Sequence, residues 1–106
     1  MRKLDPGEIC KDYELNTGRV IVEGFRQRSL EPIEIPGCLV AGHGAFTWGK
    51  DATEAVHNAV VMEECAMMAA QSELVNPHIH PIEQALMDKH YLRKHGKDAY
   101  YGQERD

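Results

Sequence analysis

Long apolar runs, paired cysteines and a surplus of basic residues are all missing from this chain, and each absence removes a class of protein. Only three of the 106 residues are cysteine. Cys10, Cys38 and Cys65 are widely spaced and form no C-x-x-C pair, which argues against a disulfide framework or a zinc ribbon and for a reducing compartment. No apolar stretch approaches the roughly 20 residues of a membrane-spanning helix. The opening M-R-K-L-D-P-G also lacks the hydrophobic segment of a signal peptide, so a soluble, cytoplasmic chain with no membrane partner is expected. A formal charge of -5 and a pI near 5.6 leave no broad basic face for nucleic acid. Lys89, Arg93, Lys94 and Lys97 cluster locally at the end of an expected helix, where cations complement the helix dipole.

What is present fits one small domain with a modest core: 42% of the residues are hydrophobic, and there are no repeats or low-complexity tracts. Met1 to Asp12 mixes charge, Pro6 and Gly7 and reads as an irregular lead-in. Asn16-Thr17 is placed to cap a helix beginning near Gly18, with Ile21 and Phe25 on one face, although the run Val20-Ile21-Val22 would by itself favour a strand. Pro32 and Pro36 frame a loop. Gly37 to Ala41 then reads as a short buried strand, and Phe46-Thr47-Trp48 as a second. Asp51 and Glu54 have the spacing of a capping box at the head of a helix over Ala52 to Ser72. The apolar positions of that helix, including Val56, Val60, Met62, Cys65, Met67 and Met68, cover more than one stripe and imply burial on most sides. Cys38 and Cys65 read as small apolar filler, and the methionines as core. Asn76-Pro77 ends the helix. Another is expected from Pro81 to about His95, with Gly96 as its cap.

Between the two strands lies Gly42-His43-Gly44. Glycines on either side leave the imidazole uncrowded and allow backbone conformations closed to other residues, which is one way a metal ligand is presented. The tract continues A-F-T-W-G-K-D-A-T-E-A-V-H-N-A-V from Ala45 to Val60. Taken with D-Y-E-L-N-T-G-R-V-I-V-E (Asp12 to Glu23), D-K-H-Y-L-R-K-H-G (Asp88 to Gly96) and A-Y-Y-G-Q (Ala99 to Gln103), it resembles the class II aldolase and epimerase family, in its L-ribulose-5-phosphate 4-epimerase branch.

That resemblance implies an α/β, three-layer class II aldolase-like domain, of which residues 1–106 would be the C-terminal part, short strands plus three helices, without the N-terminal half. It favours a helix over the Val20-Ile21-Val22 segment. It also implies a cytoplasmic, zinc-dependent enzyme of pentose phosphate metabolism that acts on a sugar phosphate and assembles as a homotetramer. The implied chemistry breaks a C3–C4 bond in a retro-aldol step and re-forms it on the other face of the aldehyde, with zinc stabilising the enediolate. Alternatives are a sibling aldolase cleaving a deoxyketose phosphate and a non-catalytic remnant.

By the same resemblance His43 is a zinc ligand whose partners belong to the missing half, so the isolated chain is expected to be inactive. His90 and Tyr101 match positions that act in a neighbouring subunit's site. Tyr101 would serve as acid or base at the C4 oxygen, and His90 would tune it or bind the migrating aldehyde phosphate. Read as residues alone, the two are a helix-surface histidine and a docked aromatic tail. His78-Ile79-His80 has metal-ligand spacing but lies in a linker between prolines, with His80 at the expected start of the next helix. His57 reads as a hydrogen-bonded structural histidine, and His95 as a surface residue stabilised by the helix dipole.

Overall fold

Local signals place the first helix where the composition suggested none. Asp5 accepts a hydrogen bond from the Glu8 amide, the Glu8 carboxylate accepts one from the Asp5 amide, both at 2.9 Å, and Pro6 occupies the first turn. This reciprocal cap, with a proline whose missing N–H would be unpaired there anyway, starts α1 (Pro6–Cys10) inside the stretch expected to be irregular. The computed structural model describes residues 1–101. The remaining elements are α2 (Tyr13–Gln27), β1 (Gly37–Val40), β2 (Gly44–Thr47), α3 (Ala52–Val75) and α4 (Gln84–His95). The described residues thus hold four helices and a two-stranded sheet, an incomplete α/β portion as expected, with α1 the helix that the composition hid.

Two compact units divide the chain, Met1–Gln71 and Ser72–Asp106. In the first, α2 begins at Tyr13 rather than near Gly18, so Asn16 and Thr17 lie inside the helix and are buried instead of capping it. Asn16 Nδ2 donates to the Glu8 and Lys11 carbonyls and so satisfies the end of α1, while Thr17 Oγ1 donates back to the Tyr13 carbonyl. Tertiary packing settles the helix-or-strand question over Val20-Ile21-Val22. Val20 is 1% exposed and Phe25 4%, both in a core with Leu4, Cys38 and Val40, which a helical face can supply and an isolated strand here could not.

β1 and β2 pair antiparallel, with Cys38 opposite Phe46 and Val40 opposite Gly44. Alternation puts Cys38 and Val40 into the core and leaves Leu39 exposed. Burial raises the Cys38 thiol pKa. Trp48 lies just past β2; its indole N–H donates to the Pro32 carbonyl at 2.8 Å and its ring meets Phe25 edge-on at 5.4 Å. Thr47 Oγ1 bonds the Ala55 carbonyl and Asn58 Nδ2 the Trp48 carbonyl, tying the hairpin to the first turns of α3.

At the head of α3, Asp51 accepts from the Glu54 amide at 2.8 Å, but the Glu54 carboxylate takes the Lys50 amide at 2.6 Å, so the expected box closes one residue early. No residue of α3 is buried. Met67, Met68 and Cys65 are exposed rather than core. Met62, half-buried, comes close to the sheet at Gly37.

In the second unit, α4 starts at Gln84 with Glu83 at its N-cap, later than Pro81, and His80 precedes it in non-helical chain. Gly96 does end the helix, its N–H donating to the Leu92 carbonyl at 2.8 Å. Its φ is negative; glycine is needed because a Cβ there would sit 2.6 Å from the Leu92 carbonyl oxygen. Arg93, Lys94 and His95 fill the last turn, where the dipole favours cations. No helix among the described residues is long and apolar enough to cross a membrane.

Two outcomes are expected. Val20→Ala should cost about 2 kcal/mol in denaturant unfolding, as for a buried aliphatic truncation, whereas Val56→Ala, at a position 65% exposed, should stay within about 0.5 kcal/mol. Equal effects at the two sites would contradict the core assignment. The Arg2 guanidinium, bonded to Glu8 and Glu23, holds the Glu8 carboxyl down at about 2. A depressed carboxyl contributes stability that is fully present above its unfolded pKa of about 4.3 and is lost as pH falls towards the folded value. Arg2→Met should return the Glu8 midpoint towards the ordinary range in a carboxyl-carbon NMR titration; an unmoved midpoint would assign the depression to another cause.

Candidate functional site

His43 sits at the reversal between β1 and β2, where the chain needs backbone angles that side chains resist. Gly42 has φ +82 and Gly44 φ +113, and among the described residues no atom beyond the adjoining residues lies within 4 Å of where a Cβ would stand on either. Strain rather than crowding therefore requires glycine on both sides. The His43 amide donates to the Val40 carbonyl at 3.0 Å, which closes the turn and pins the histidine backbone to the end of β1. The imidazole is half-buried.

A partner that the motif did not announce meets it there. Tyr13 Oη lies 2.8 Å from His43 Nδ1, and the two rings stack at 5.3 Å with 27° between their planes. Tyr13 is the first residue of α2, preceded by Asp12 in the left-handed region at φ 50. With Nδ1 engaged, Nε2 is the nitrogen left for a ligand. Tyr13 does lie inside the D-Y-E-L-N-T-G-R tract, yet nothing in the sequence singles it out, since its partner is 30 positions away.

His90 and Tyr101 both belong to the second unit. His90 is exposed on α4. Tyr101 folds back on the end of the same helix: its amide and that of Tyr100 donate to the Arg93 carbonyl at 3.1 and 2.9 Å. The Arg93 guanidinium stands 4.5 Å and the Lys94 ammonium 5.4 Å from the centre of the Tyr101 ring. Cations over an aromatic face attract its electron density, so the basic cluster has a role beyond complementing the dipole. The docked tail is thus observed as far as Tyr101; Gly102 and Gln103, the end of A-Y-Y-G-Q, lie outside the described residues.

Other histidines do not converge on a site. His57 is exposed on α3, His78 and His80 are exposed in the linker, and His95 stacks on Tyr91 at 4.6 Å. Among the described residues, no group of three or more His, Cys, Asp and Glu side chains is arranged to hold a metal ion. His43 by itself fits one position of such a site: a half-buried imidazole with Nδ1 held and Nε2 without a hydrogen-bond partner among the described residues.

Residues 5–70 match the model of the class II aldolase and adducin N-terminal domain. The chain belongs to that family. Curated relatives named L-ribulose-5-phosphate 4-epimerase UlaF, from Salmonella paratyphi B, Salmonella paratyphi C and Salmonella typhi, are each 54% identical over 102 residues. The match takes in 96% of this chain but only 44% of the length of each relative. Class II aldolases are in general metal-dependent, and the matched span includes α2, the hairpin and most of α3, so the Tyr13–His43 contact falls wholly within the class II aldolase region.

Proposed function

We propose that this chain is the C-terminal part of an L-ribulose-5-phosphate 4-epimerase of the class II aldolase family. The observation that carries the reading is 54% identity to the UlaF epimerases across 96% of the chain. The substrate pair is L-ribulose 5-phosphate and D-xylulose 5-phosphate. The metal is zinc, the working assembly a cytoplasmic homotetramer, and the pathway one of pentose phosphate metabolism.

In this reading His43 supplies one nitrogen donor, and the further ligands come from outside the described residues. Zinc, when bound, supplies the positive charge that stabilises an enediolate. What this chain does besides is move protons. Tyr101, its ring held under Arg93 and Lys94, gives a proton to or takes one from the substrate's C4 oxygen as the C3–C4 bond breaks and re-forms. His90, exposed on α4, tunes that tyrosine or binds the phosphate of the released aldehyde.

The isolated chain should hold no stoichiometric zinc at micromolar free metal, because one imidazole supplies only a fraction of a site that needs three or four ligands. Elemental analysis checks this; one tightly held zinc per chain, lost on His43→Ala, would show a complete site. The same residues exchanged for the matching segment of a UlaF relative should support epimerase turnover. There Tyr101→Phe should lower turnover at least about 100-fold with zinc content unchanged, as for loss of a general acid or base. Near-normal turnover in that variant would take Tyr101 out of the mechanism, and an inactive parent chimera would take the activity away from this chain.

A further inference from the structure

The contact between Tyr13 and His43 is specific in two ways that a surface pair seldom combines: a 2.8 Å hydrogen bond to one named ring nitrogen, and a stack that fixes the ring plane. It is also set from below. Tyr13, Thr17, Val20 and Gly24 recur at helical spacing along one face of α2, and the last three are buried, so the packing that buries Val20 carries Tyr13 towards the turn. Val40, buried in the same core, ends the strand from which the turn departs.

We propose that Tyr13 is the positioning residue of His43, engaging Nδ1 so that Nε2 is the nitrogen presented to a divalent cation. The inference rests on the reading of His43 as a metal donor. A neutral imidazole has one N–H and one lone pair, and a cation takes the lone pair. Coordination through Nε2 therefore requires the proton on Nδ1, and an N–H there wants an acceptor. The Tyr13 oxygen provides one. Before the cation arrives, the phenol can donate into Nδ1 instead. Binding then moves the ring proton from Nε2 to Nδ1, and the hydroxyl, on a side chain 42% exposed, turns its own proton to water. The oxygen serves both states, and the ring does not have to reorient between them.

Tyr13→Phe removes the oxygen, keeps the stacked ring and adds no atoms at a partly exposed position, so the fold is expected to survive; the amide resonances of Val20 and Val40 check that. The readout is long-range proton–nitrogen NMR of the chain with nitrogen-labelled histidine, titrated with zinc into the millimolar range, the other five histidines serving as internal references. Zinc should perturb His43 at Nε2 with Nδ1 protonated in the parent chain. In Tyr13→Phe the tautomer balance of His43 should change, and its apparent zinc affinity should fall about tenfold or more, the usual cost of losing such a partner. Unchanged tautomer and affinity in the variant would overturn the role of Tyr13 and leave His43 as a donor. If zinc leaves the His43 nitrogens of the parent chain unmoved, the metal reading fails, and the inference with it.

Discussion

Burial of Val20 and Val40 in one small core is the constraint on which the rest of the first unit depends. Both side chains are at most 2% exposed, and they come from elements of opposite kind, a helix and a strand. Once α2 lies against β1 through them, the helix rotation is fixed, because the face that carries Val20 also carries Thr17 and Tyr13. The strand register is fixed as well, since a slip of one residue would turn Cys38 and Val40 outward and Leu39 inward. Tyr13 and His43 meet as a consequence of these two settings.

Polar contacts at the periphery extend that arrangement. Met1 lies along β1, its carbonyl accepting from the Ala41 amide, and Arg2 reaches from there to Glu8 on α1 and Glu23 on α2. Exposed ion pairs of this kind contribute little energy singly. Their effect here is to order the lead-in over a core that, among the described residues, holds five buried hydrophobic side chains. Among the described residues no side chain of α3 belongs to that core.

His43 and Tyr101, in different units, are held by different means. His43 is held by backbone: a turn that needs two positive-φ glycines, closed by its own amide. Tyr101 is held by a helix end, through two amides converging on one carbonyl and two cations over its ring.

The sequence by itself determined what local chemistry can write. It carried the G-H-G turn and the strands on either side, the Asp51 start of the long helix, the Gly96 stop and the motifs that mark the family. The Asp5 and Glu8 cap of α1 was equally legible, but the proline and glycine between them drew the reading towards loop. Where packing overrides propensity, the sequence was silent. Val20-Ile21-Val22 could have been strand, Asn16 and Thr17 could have been a cap, and the methionines of α3 could have been core, because single-residue preferences are worth tenths of a kcal/mol and burial of one side chain is worth about 2. Only the tertiary structure decided that Tyr13 is the partner of His43. Residues 30 positions apart meet when a helix and a hairpin pack in one rotation and one register, and neither is encoded at either residue.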